Sequence, residues 1–219
     1  LNMARFTNQA QLRYGNAVTN SNIAVGEILE VLSATKTAVR NTYGQSDTVT
    51  YIVSIVNSGT TPITGISVTD NLGEYTFGTT TLVPLTYIDG TVKYYVNGVL
   101  QPSAVVTAGP PLVVSGITVP AGGSVTVAYE AAVNEFAPLD TTSVINNTAI
   151  VAGTGITPIT AEEEITVEST PVLTITKSVS PVPVTENGTL TYTFLIQNSG
   201  NVAADASTGV VVTDVFDPV

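Results

Sequence analysis

The chain has 219 residues, 17 of them acidic and 6 basic, for a formal net charge of −11, and it contains no cysteine and no histidine. Disulfides, structural zinc and thiol or imidazole catalysis are therefore excluded, and so acidic a chain disfavours nucleic acid and anionic membrane surfaces as partners. With 43% hydrophobic and only 11% charged residues, and Val, Thr, Ile and Gly prominent, the composition favours strands and turns, and no apolar run is long enough to span a membrane.

The first element in chain order lies in "RFTNQAQLRY" (5–14). Phe6, Asn8, Ala10, Leu12 and Tyr14 share one parity while Thr7, Gln9, Gln11 and Arg13 share the other, the alternation of a half-buried strand. Beyond it, strands are predicted over 31–39, 47–57, 63–70, 81–88, 92–96, 112–118, 123–133, 143–152 and 161–168. Turn signals fall at Asp89-Gly90, Asn97-Gly98, "GPP" (109–111) and Gly122-Gly123. Many short strands with such punctuation predict an all-β chain, an immunoglobulin-like β-sandwich. Glu162, Glu163 and Glu164 form a plain acidic run without the ligand spacing of a calcium loop, so no metal site and no cofactor are expected.

Two internal matches organise the chain. "ATKTAVRNTYGQSDTVTYIVSIVNSG" (34–59) aligns without a gap to "ITKSVSPVPVTENGTLTYTFLIQNSG" (175–200). Lys36 meets Lys177, Tyr51 meets Tyr192, and Asn57-Ser58-Gly59 meets Asn198-Ser199-Gly200. "ISVTD" (66–70) then meets "VVVTD" (210–214), pairing Asp70 with Asp214 and predicting a third strand there. More loosely, 5–28 matches 144–167, with a small insertion expected in the latter, so that Asn8 aligns with Asn147 and Ala10 with Ala149. The expected organisation is an N-terminal strand segment (1–30), an immunoglobulin-like repeat domain (31–170) and an incomplete second repeat (171–219). Residues 1–30 resemble the closing strands of a repeat, which makes them a candidate donor strand.

Inward-facing polar residues carry the chemistry. Lys36 shares a parity with Leu32, Ala34 and Ala38, and Lys177 with Leu173, Ile175 and Val179. Asp70 lies among Ile66 and Val68, Asp214 among Val210, Val212 and Phe216, and Asn147 among Ile145, Ala149 and Val151; Asn146 has the wrong parity. A lone buried ammonium costs several kcal/mol, so an inward Lys needs a partner. One reading is a buried Lys–Asp ion pair capped by the Asn amide. The other is a spontaneous isopeptide bond: burial lowers an amine's pKa and raises a carboxyl's, and the neutral amine can attack a carboxamide held at contact distance.

The residues "ATKT", "DTVTYIVSIVNSGTTPITGISVTDNL" and "INNTAIV", with "ITKS", "GTLTYTFLIQNSG" and "VVVTD", resemble the conserved repeat found in tandem in bacterial cell-surface proteins and catalogued as domain of unknown function eleven. The resemblance covers residues 31–219. The pattern is also similar to the A-type immunoglobulin-like domains of Gram-positive adhesins and fimbrial shafts. That resemblance implies Lys36 as nucleophile, Asn147 as electrophile and Asp70 as the assisting acid, a self-directed single turnover and no conventional enzyme. It also implies a location outside a bacterial cell. Since no secretory apolar segment follows Met3, a spore-surface appendage is a second route. Lys177 and Asp214 have no Asn strand after them, and Asn8 has no Lys strand before it. The expectation is that copies join head to tail by strand donation, with Asn8 bonding to Lys177 beside Asp214. The alternative is an adhesin or tandem stalk module that does not polymerise and binds a host or matrix ligand.

Overall fold

A computed structural model describes residues 3–102 and 104–216, which are built almost wholly of strands. The ends of the two flanking segments, residues 1–2 and 217–219, lie outside the described residues.

The chain opens as a ribbon. Strands β1 (Met3–Asn8) and β2 (Gln11–Tyr14) run out, and β3 (Ala17–Asn20) and β4 (Ala24–Leu29) return, with β1 paired to β4 and β2 to β3. Gly15 turns the chain with φ +54°, a conformation open to glycine at no steric cost. Residues 5–25 are exposed throughout, Phe6, Leu12, Val18, Ile23 and Val25 among them. The half-buried strand expected at 5–14 is thus exposed on both faces. Its partner is its own hairpin, and among the described residues no second sheet lies over its apolar parity.

A sandwich follows. Its strands are β5 (Leu32–Ala38), β6 (Thr42–Tyr43), β7 (Thr48–Asn57), β8 (Ile63–Asp70), β9 (Tyr75–Phe77), β10 (Thr80–Leu82), β11 (Leu85–Tyr87), β12 (Lys93–Val96) and β13 (Val99–Leu100), then β14 (Val105–Thr107), β15 (Leu112–Val119), β16 (Ser124–Val133), β17 (Val144–Ala152) and β18 (Ile159–Val167). One sheet runs β13-β12-β16-β7-β5, with β11 also on β16; the facing sheet runs β14-β15-β8-β17-β18-β6; β9 and β10 pair with each other outside both. Strict alternation of buried and solvated residues along β7, β16 and β17 is what closes them face to face. Tyr51, Ile55, Ile66, Ile117, Tyr129, Ile145 and Ile165 fill the space between.

Beyond the sandwich, β19 (Leu173–Ser180) pairs with β20 (Thr191–Asn198). This pair repeats β5–β7 residue for residue: Lys36 faces Val53 and Lys177 faces Phe194, Leu32 faces Asn57 and Leu173 faces Asn198. The turn after each pair is also the same. Asn57 Oδ1 accepts Gly59 N at 2.9 Å and its Nδ2 donates to Thr61 O at 2.8 Å; Asn198 Oδ1 accepts Gly200 N at 3.0 Å and its Nδ2 donates to Val202 O at 2.7 Å. The third strand predicted at 210–214 does not form: residues 210–216 have no sheet partner. Their counterpart β8 is held by β15 and β17, and among the described residues no strand flanks 210–216 in that way.

The ribbon and the β17–β18 hairpin also share a register. Phe6 faces Gly26 as Ile145 faces Ile165, and Asn8 faces Ala24 as Asn147 faces Glu163. No insertion separates the paired strands, contrary to expectation. A Cβ on Gly26 would lie 2.2 Å from the Phe6 ring, so one large and one absent side chain replace two isoleucines of middling size.

Candidate functional site

Apart from tyrosines, four polar or charged side chains are buried among the described residues: Lys36, Asn57, Asp70 and Asn147. Asn57 serves the turn just described. The other three converge between the sheets, Lys36 from β5, Asp70 from the last position of β8, and Asn147 from β17. Asp70 faces Ala149 across β8–β17, which puts Asn147 two residues along the same face.

Asp70 is the hub. Its Oδ2 accepts from Lys36 Nζ at 2.6 Å and from the Tyr129 hydroxyl, and its Oδ1 accepts from Leu72 N at 3.0 Å. The Tyr129 oxygen in turn accepts from Asn147 Nδ2 at 3.1 Å. Asn147 Oδ1 accepts from Gly73 N at 3.1 Å. Each polar atom of the carboxamide is thus engaged, as burial demands. The Leu72-Gly73 turn aims the two amides. Both residues have positive φ, 55° and 75°. At Leu72 that conformation is strained, the kind of strain that clusters at functional sites. At Gly73 a Cβ would stand 2.6 Å from Ile145 Cγ2, so only glycine fits.

Aromatic rings wall the site. Lys36 Nζ stands 4.9 Å from the Tyr51 ring centroid, and Tyr51 stacks on Tyr129 with centroids 5.7 Å apart. The Tyr51 hydroxyl is buried near the Asn147 amide but makes no hydrogen bond of normal geometry. Loss of hydration pulls the Lys36 amine down to about 8, against the partial offset of the Asp70 charge and hydrogen bond and the more distant charge of Glu163. Burial, with the Asp70 charge added, pushes the Tyr129 phenol well up, so it stays protonated.

The second Lys–Asp pair forms as well. Lys177 Nζ lies 2.7 Å from Asp214 Oδ1 and over the Tyr192 ring at 4.4 Å. Here the side chains are 40% and 43% exposed, not sealed. The apolar neighbours of Lys177 on β19 and β20, Ile175, Val179, Phe194 and Ile196, are open to solvent too. Asn8 sits on the exposed ribbon and is not brought to Lys177 within one chain; among the described residues no carboxamide bonds to Lys177 or Asp214.

Sequence reasoning did not single out Tyr129, Gly73 or Leu72. Tyr129 occupies the inward parity of "SVTVAYEAAV" among valines and alanines, where a tyrosine reads as core. Its hydroxyl was the available signal, because a buried phenol needs a partner. Gly73 follows Asp70 in a turn whose demand for glycine depends on Ile145, far along the chain.

No protein-family model matches the chain, and no curated protein matches it. Solved structures do. A variant of BcpA, the major pilin subunit of Bacillus cereus, matches with a TM-score of 0.50 at 11% identity over 89% of this chain and 64% of that one. The major pilin SpaD of Corynebacterium diphtheriae matches with a TM-score of 0.47 at 16% identity, over 73% of this chain and 40% of that one. The pilus backbone RrgB of Streptococcus pneumoniae matches with a TM-score of 0.43 at 14% identity, over 55% and 31%. The chain therefore spans less than two thirds of the length of each. The BcpA likeness shows the fold, an all-β immunoglobulin-like architecture. Among the described residues no helix is long and apolar enough to cross a membrane.

Proposed function

We propose that this chain is a structural subunit of a bacterial extracellular fibre or surface layer, on a cell or spore surface, with its sandwich stapled by an isopeptide bond between Lys36 and Asn147. The observation that carries this reading is the buried convergence of an amine, a carboxyl group and a carboxamide on β5, β8 and β17, linked through Asp70. An amide between Lys36 and Asn147 removes the buried charge and ties the two sheets together. The pilin fold of the BcpA variant is consistent with load-bearing use. The chemistry is self-directed and runs once; no cofactor, nucleic acid or membrane insertion enters it.

Assembly is head to tail in this proposal. The ribbon has the register of β17–β18, the hairpin that presents Asn147 to Lys36 and Asp70 in the sandwich. The exposed pair β19–β20 has the register of β5–β7 and carries Lys177 beside Asp214. A ribbon from a second copy, laid along residues 210–216, would bring its Asn8 to Lys177. This contact joins two different surfaces, so it propagates as a filament unless the rotation closes a ring. Boiling purified chain in SDS, running a gel and mapping cross-linked peptides tests it. A ladder containing Asn8–Lys177 peptides short of one ammonia is the expected result; monomer alone overturns covalent assembly.

One observation favours a second reading, a tandem stalk or adhesin module that does not polymerise. Lys177 already pairs with Asp214 at 2.7 Å within a single chain. A stalk module sediments as a monomer at every concentration, whereas the proposed subunit associates as concentration rises.

A further inference from the structure

The geometry points to Tyr129 as the proton relay of bond formation, carrying a proton from Asp70 to the departing nitrogen of Asn147; this rests on the Lys36–Asn147 bond proposed above. Four atoms form one line of hydrogen bonds: Lys36 Nζ to Asp70 Oδ2, Tyr129 Oη to the same Oδ2, and Asn147 Nδ2 to Tyr129 Oη. The line begins on the nucleophile and ends on the leaving group. No other described hydroxyl bonds to either end. The nearby Tyr51 hydroxyl, in the same wall, makes no hydrogen bond of normal geometry, although it stands close enough to the Asn147 amide to feel it.

The proton inventory closes through this line. Lys36 begins as an ammonium and Asp70 as a carboxylate. Asp70 Oδ2 takes one proton and frees the amine, whose lone pair attacks Asn147 Cγ. The carbonyl electrons move to Oδ1, where the Gly73 amide already donates at 3.1 Å and is placed to hold the oxyanion. Asp70 then passes its proton to Tyr129 Oη as the Tyr129 hydrogen turns to Nδ2. The Cγ–Nδ2 bond breaks, the carbonyl re-forms, and ammonia leaves with its two original hydrogens and the relayed one. The Lys36 nitrogen gives a second proton to Asp70 and keeps the third as the amide hydrogen. The start is ammonium, carboxylate and carboxamide; the end is amide, ammonia and carboxylic acid, with charge and hydrogens conserved. Tyr129 ends as it began. Asp70 alone cannot fill this role in the observed arrangement, since its Oδ1 is turned to Leu72 N and Tyr129 is the group that touches Nδ2.

The test is a time course of intact mass for the full chain made by cell-free synthesis, in the wild type, Tyr129→Phe and Tyr51→Phe. Each substitution keeps a ring and removes one buried hydroxyl from the same stack, so Tyr51→Phe controls for packing. The expected result is loss of one ammonia in wild type and Tyr51→Phe at matching rates, and a rate lower by roughly 10²-fold or more in Tyr129→Phe, the usual worth of a positioned proton donor. If wild type loses ammonia and Tyr129→Phe does so equally fast, the relay is overturned and the isopeptide stands. If both tyrosine variants slow equally, the ring stack and not proton transfer sets the rate, and the relay is overturned. If wild type keeps its full mass, both readings fall.

Discussion

An ammonium sealed between two sheets is tolerated either by a partner or by loss of its charge. Asp70 supplies the partner at 2.6 Å, and the pulled-down amine of Lys36 is what makes the second route open. Replacing one member leaves the other uncompensated. Asp70→Ala is expected to retain all its ammonia and to lose about 3–5 kcal/mol of folding stability, read by intact mass and urea unfolding. The double substitution Lys36→Met with Asp70→Leu removes the pair together. It should recover most of that stability while still forming no cross-link, which separates the packing role of the pair from its chemistry. The pH dependence has a definite sign. The proton that Lys36 hands to Asp70 is the one relayed to the leaving nitrogen, so the pair must still hold it when the reaction begins. With its value pulled down to about 8, below that of an ordinary lysine, Lys36 loses that proton to solvent as pH rises through 8. The rate of bond formation should therefore fall as pH rises above about 8, and a rate that climbs through that range would contradict the relayed proton.

At the scale of elements, the same two hairpins occur twice in the chain and differ in what covers them. β17–β18 is buried by the facing sheet, whereas β1–β4 is bare. If the ribbon packs on a second copy, its inward face must keep the Phe6–Gly26 fit. Gly26→Val would push the Phe6 ring aside and is expected to abolish association in sedimentation, leaving the melting of the distant sandwich unchanged. Asn8→Ala should still associate but fall to monomer on boiling in SDS. Much of this scale was readable beforehand. Lys, Tyr and Asn-Ser-Gly recur between 34–59 and 175–200 because each has a local task, and the Asn-Ser-Gly turns are closed by the same bonds in both copies. The short strands β9, β10, β13 and β14 were not readable, since two or three residues carry no period. The interruption of 81–88 into β10 and β11 was likewise hidden. The residues 210–216 read as a strand on pattern alone, but a strand also needs neighbours.

For the whole molecule, alternation and turn residues were enough to place an all-β immunoglobulin-like sandwich, and parity was enough to bring Lys36, Asp70 and Asn147 onto inward faces. What parity could not reach was the second layer of the site: Tyr129 arrives from β16, two strands from Lys36 in the same sheet and facing Asp70 and Asn147, and the Gly73 amide depends on a left-handed turn packed against Ile145. In a chain without cysteine, the proposed bond between β5 and β17 would supply what a disulfide supplies elsewhere, a constraint on the unfolded state. Asn147→Ala is expected to unfold at lower denaturant concentration, by about 2–5 kcal/mol, and to be cut faster by protease.

The most direct measurement is the intact mass of the purified chain followed by peptide mapping of the region around Lys36 and Asn147. A mass short by one ammonia, with those two residues in one branched peptide, is the result this account predicts. The full unmodified mass, with Lys36 and Asn147 recovered in separate peptides, would contradict it and leave a buried ion pair.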